Sequence, residues 1–183
     1  MTHAGPRQRL PSAAASGSPP APAPCAPLRS HSAHDHGVCI EEAMERARTL
    51  CAGRGARLTQ LRERVLRLVW SSHRPRGAYA VLDDLARQDG RAVAPLTVYR
   101  ALDFLVEQGL VHRIESLNAY IGCTEPGQTH AGQFLVCQCC GNAAELNDPE
   151  IARAVAEGAR ARGFTAVRQT VEVIGLCPAC QGA

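Results

Sequence analysis

A chain of 183 residues in which 45% are apolar can build one or two small cores. Its 20 basic residues exceed its 17 acidic ones by a formal charge of only +3, so any affinity for nucleic acid must come from a local patch. No run approaches the about 20 consecutive apolar residues of a membrane-spanning helix, and the amino terminus lacks a basic region followed by an apolar run, so a cytoplasmic protein without a membrane partner is expected.

Residues 1–37 are rich in Pro, Ala and Ser and lack apolar periodicity, which predicts a disordered tail. Its His31, His34 and His36 with Asp35 are an incidental polar tract on this reading. From Cys39 the pattern changes: Ile40, Ala43, Met44, Ala47, Leu50 and Cys51 fall on one helical face. Thr59 is suited to cap a second helix, which carries Leu61, Val65, Leu68 and Val69 until the segment from His73 to Gly77 breaks it. A third helix is expected from Ala78 to Arg87. Pro95-Leu96-Thr97 opens a fourth, with Val98, Ala101, Leu102, Leu105 and Val106 inward and a stop at Gly109. Extended runs from Leu110 to Glu115 and Ala119 to Cys123 then read as a hairpin. Helices followed by this hairpin make a winged helix-turn-helix over residues 38–122.

Residues 123–183 predict strands at Gln133–Gln138, Ala143–Leu146 and Thr165–Ile174, with a helix over Pro149–Arg162. The expected class is therefore α+β, an amino-terminal winged helix-turn-helix domain followed by a small α/β dimerisation domain with structural zinc. The zinc follows from two cysteine pairs, Cys137 with Cys140 and Cys177 with Cys180, each spaced so that both sulfurs reach one tetrahedral ion from a tight turn. Four thiolates close the coordination shell, which makes the site structural. The alternatives are two redox dithiols or a four-sulfur iron centre. Cys139 would have to bind beside its neighbour Cys140 and is left outside the set.

In a winged helix-turn-helix the early residues of the recognition helix face base edges in the major groove. Thr97, Tyr99 and Arg100 occupy that place, and an arginine can fork onto guanine O6 and N7. Tyr99 could instead pack against the preceding helix, and Arg100 could touch phosphate alone. Between Arg54 and Arg113 arginines outnumber acids, as a DNA-facing surface requires. One recognition helix reads only a few base pairs, so a homodimer on palindromic double-stranded DNA is expected.

Leu58-Thr59, the run Thr97-Val98-Tyr99-Arg100-Ala101-Leu102-Asp103-Phe104-Leu105 with Glu107-Gln108-Gly109, and the two cysteine pairs resemble the ferric uptake regulator family over about residues 40–181. The resemblance implies a second, regulatory metal site between the domains. In the zinc branch its ligands match His112, Cys123, His130 and Glu145 here, for a total of two Zn2+ per subunit. The thiolate of Cys123 and the absence of a His-rich string before Cys137 favour zinc over iron. The same resemblance adds Tyr79 and Arg57 as DNA contacts. It further implies a transcriptional repressor of zinc-uptake genes whose operator binding follows zinc, and not an enzyme. The alternatives are a related sensor of iron, manganese, nickel or peroxide, a zinc enzyme with Glu145 as general base, and a scaffold whose metal sites are purely structural.

Overall fold

The computed structural model describes residues 36–72, 74–128 and 132–181. The proline-rich tail expected over 1–37, with His31, His34 and Asp35, falls outside these residues apart from its last two positions. So does His130.

Four helices, α1 (His36–Gly53), α2 (Gln60–Trp70), α3 (Ala78–Asp89) and α4 (Pro95–Glu107), surround one apolar cluster. The helical periodicity of the sequence is what is buried: Ala43, Met44, Ala47 and Cys51 from α1, Val65, Leu66, Leu68 and Val69 from α2, and Val98, Ala101, Leu102 and Leu105 from α4. Thr59 caps α2, its hydroxyl accepting from the Arg62 N–H at 3.4 Å. Gly90, with φ 64°, closes α3 in the left-handed conformation that costs glycine little. α1 starts at His36, ahead of the expected domain edge, because its first turn includes Gly37 and Val38, which are exposed and carry no periodic signal.

The hairpin forms from β2 (Val111–Ile114) and β3 (Ala119–Gly122), paired antiparallel, and the turn between them closes through Asn118 at φ 46°. Asparagine tolerates this left-handed backbone. A two-residue strand absent from the sequence reading, β1 (Arg76–Gly77), pairs with β3 and makes the wing three-stranded. It is too short to show a period-two pattern.

The second sheet has the order β5-β4-β6, with β4 (Gly132–Cys137) central, β5 (Ala143–Glu145) antiparallel to it and β6 (Thr170–Gly175) parallel. β6 begins five residues later than the expected Thr165. Its first residue, Thr170, pairs with Gly132, the first residue of β4, and among the described residues, positions 165–169 have no ladder partner on that strand. Between β5 and β6 runs α5 (Pro149–Arg160), capped by Asp148, whose carboxylate accepts from the Glu150 N–H at 2.8 Å. A short α6 (Pro178–Gln181) carries Cys180. Leu135, Val155, Phe164, Val167 and Val173 remain exposed in this part of the single chain.

Candidate metal centre and nucleic-acid interface

The four cysteines of the two pairs converge. β4 delivers Cys137 to a tight turn in which the Gly141 N–H donates to the Cys137 carbonyl at 2.9 Å, with Gly141 at φ 69°. The chain beyond β6 delivers Cys177, and α6 places Cys180 one turn on, the Cys180 N–H donating to the Cys177 carbonyl at 2.8 Å. All four sulfurs lie within 4.8 Å of one another, and Cys140 Sγ stands 3.8 Å from Cys177 Sγ. Thiolates held about 2.3 Å from a tetrahedral ion are about 3.8 Å apart, so the sulfur set fits zinc as it stands. The N–H groups of Cys140 and then Cys177 hold the Cys137 thiol down at about 6. Burial, followed by the neighbouring thiols, pushes Cys180 up to about 12. Cys139 lies outside the four-sulfur group.

A second group forms where the wing meets the sheet. His112 from β2, Cys123 just after β3, and Glu145 at the end of β5 bring their ligand atoms within 4.8 Å of one another. His112 Nε2 is 3.1 Å from Glu145 Oε1, and the imidazole is tilted against the Phe134 ring with centroids 5.2 Å apart. Thr124 donates its hydroxyl to Glu145 Oε2 at 2.8 Å and so orients the carboxylate. Cys123 is 1% exposed, and burial, reinforced by the Glu145 charge, pushes its thiol up to about 12. Nitrogen, sulfur and oxygen donors are together a zinc-type set. Three of the four residues implied by the family resemblance are thus together. The fourth, His130, lies outside the described residues.

The joint around this group has an apolar centre of Ile114, Phe134 and Val136, with Ile121 and Ala143 against it. Phe134 pairs in register with Glu145 on β5 and Glu172 on β6, so the three side chains form one row on the face towards the wing. Glu145 reaches the metal-type group. Glu172 accepts from the Glu115 and Ser116 N–H groups of the wing turn at 2.6 and 3.1 Å. Burial raises Glu172, but the Ser116 side chain and these two N–H groups together outweigh it and hold the carboxyl below its usual range. Sequence reading missed Thr124 and Glu172. The available signal for Glu172 was an acid in the middle of the apolar run Thr170-Val171-Glu172-Val173-Ile174.

In the winged helix, α4 exposes Leu96, Thr97 and Arg100 at its amino-terminal end, and Tyr79 is 68% exposed at the start of α3. A groove between α2 and α4 is lined by Thr59, Arg62, Thr97 and Arg100. Arg57 is exposed and its carbonyl accepts from Arg62, whose guanidinium also sits 3.5 Å over the Phe104 ring. Tyr99 differs from its neighbours in being half-buried against the core.

A winged helix joined to a cysteine-clamped sheet, with a mixed-donor group at the joint, is the architecture of metal-responsive transcription regulators. The chain belongs to the ferric uptake regulator family, whose description matches residues 53–174. It is 39% identical over 141 residues to the zinc uptake regulation protein of Escherichia coli strain K12, covering 76% of this chain and 82% of that protein. A solved zinc uptake regulator complexed with zinc and DNA is 38% identical, covers 78% of this chain and 95% of its own, and superposes with a TM-score of 0.74. The crystal structure of holo XcZur is 42% identical over 78% of this chain and 99% of its own, with a TM-score of 0.70.

Proposed function

We propose that this protein is a zinc-responsive repressor of zinc-uptake genes, a cytoplasmic homodimer that binds a palindromic operator in double-stranded DNA when zinc is replete. The observation that carries this reading is the His112, Cys123 and Glu145 group, because it joins the DNA-reading unit to the sheet instead of lying within either. A bound zinc ion supplies a bond between wing and sheet that the apolar joint alone does not, and His130 completes its ligand set. Two zinc ions per subunit follow, the other held by Cys137, Cys140, Cys177 and Cys180.

The chain divides into a tail over 1–37, a DNA-binding domain over 38–122 and a metal-binding dimerisation domain over 123–183. Dimerisation through the last of these covers its exposed Leu135, Val155, Phe164 and Val173. Arg100 reads base edges, Thr97 and Tyr79 lie beside it, and Arg57 contacts phosphate. Tyr99 supports the recognition helix from its inner side. With wing and sheet fixed, the separation and angle of the two recognition helices match the half-sites; with the joint free, that match is lost. The soft Cys123 donor favours zinc over iron or manganese as the signal.

The test is operator binding as free zinc is buffered from scarce to replete, with Cys123→Ser alongside. Wild type binding only in replete zinc, with a folded, dimeric variant that fails, supports the reading. Equal binding by both at every zinc level overturns it.

A further inference from the structure

The metal-type group holds the wing at one point, and a single point of attachment leaves rotation about it. The row Glu145-Phe134-Glu172 supplies a second point. Its two carboxylates are two strand steps apart on β5 and β6, about 10 Å at the usual spacing of about 4.8 Å between strands. On the wing, the backbones of His112 and Glu115 are also about 10 Å apart, since Glu115 follows His112 by three residues of extended chain at about 3.3 Å each. β2 therefore lies across the sheet with Phe134 and Ile114 packed between the two attachments.

From this we propose that Glu172 is a positioning residue for operator binding, a metal-independent latch that grips the wing turn and fixes the orientation of the winged helix once the zinc group has fixed its distance. The latch rests on the proposed function for its consequence but on its own contacts for its existence. The turn it grips is already ordered: the Asn118 N–H donates to the Glu115 carbonyl at 3.1 Å, and Arg113 donates to the Asn118 side chain at 3.1 Å. A carboxylate receiving two consecutive backbone N–H groups is an oriented, charge-assisted contact, unlike the apolar patch beside it, which permits sliding. β6 also runs directly towards Cys177, so the four-sulfur site anchors the strand that carries the latch.

Two variants test the latch from its two sides in the full-length zinc-loaded protein. Glu172→Gln keeps the shape of the acceptor and removes its charge. Ser116→Pro removes both the N–H and the hydroxyl that Ser116 offers to Glu172, at the second position of the turn, where proline is well tolerated. Each is expected to weaken operator binding about tenfold and the double variant no further, because both break one contact. Zinc affinity at the His112 group should fall with operator affinity, while dimerisation and the salt dependence of DNA binding stay as in wild type. Amide exchange at Glu115 and Ser116 should accelerate in Glu172→Gln. Unchanged operator affinity in Glu172→Gln, or additive losses in the double variant, overturns the proposal. If wild type itself shows no zinc-dependent DNA binding, that failure belongs to the proposed function, and amide exchange decides the latch: faster exchange upholds it and unchanged exchange rejects it.

Discussion

At the scale of single residues, the proposed role of the buried Cys123 thiol as a zinc ligand links metal capture to pH. With its ionisation pushed up to about 12, the metal-free side chain is a neutral thiol throughout the physiological range, whereas the ligand form is a thiolate. Binding must therefore expel this proton, and zinc affinity at the His112 group should rise about tenfold per pH unit from this residue alone, checked by competition with a chelator at pH 6.5, 7.5 and 8.5. The sign is opposite for the empty protein. A cysteine of the unfolded chain ionises near its ordinary 9.0 and Cys123 only near 12, so its contribution to metal-free stability is complete below about pH 9 and is lost as pH rises towards 12. Beside it, Gly122 faces the Trp70 indole so closely that an added Cβ would stand 2.3 Å from Cε2 and Nε1. Gly122→Ala should cost about 2 kcal/mol through overpacking, read as a lower melting temperature. Trp70 is the only tryptophan of the chain, so its fluorescence reports the same displacement.

Among the elements, β6 depends most on what lies at its end. It belongs to the sheet through parallel pairing with β4 alone, and the cysteine cluster fastens β4 and β6 together at their common carboxy-terminal edge. Replacing Cys180 by Ser should leave three thiolates around a site built for four. The expected result is loss of the structural zinc and of at least about 3 kcal/mol of stability in this sheet, with α1 to α4 unfolding separately at a higher temperature. Calorimetry detects the split as two transitions in place of one. How far each element was legible follows the same physics. α1, α2 and α4 bury a stripe on one side only, so their 3.6-residue period stood out in the sequence. Cysteine spacing identified the four-sulfur site because its pairs are local. β1 and the start of β6 were not readable, since both are defined by a partner strand and not by their own pattern. Glu172 lay hidden for a similar reason: its partners are backbone groups 56 and 57 residues away, and backbone groups leave no trace in a sequence. His112, Cys123 and Glu145 each look ordinary in isolation, and only the family resemblance drew them together.

For the whole molecule, the proposed function makes zinc and operator DNA ligands of one conformational equilibrium, because the second metal-type group lies at the joint. The arrangement with the wing seated on the sheet brings the ligand atoms of His112, Cys123 and Glu145 within 4.8 Å of one another, and under the proposed function the same arrangement sets the recognition helices. Thermodynamic linkage then requires that whatever factor zinc adds to operator affinity, operator must add to zinc affinity. Couplings of this kind are worth about 1 to 3 kcal/mol, or about 5- to 150-fold. Zinc titrations monitored by Trp70 should therefore shift to lower free zinc when saturating operator DNA is present. DNA of unrelated sequence should produce a much smaller shift, because contacts to phosphate alone do not demand one spacing of the two recognition helices. The four-cysteine site should show no shift, since its sulfurs all come from the sheet and its adjoining turns and gain nothing from the seating of the wing. Equal shifts at both sites would mean that DNA stabilises the entire fold instead of selecting one arrangement of the joint, and an unshifted His112 group would uncouple the metal from the DNA altogether.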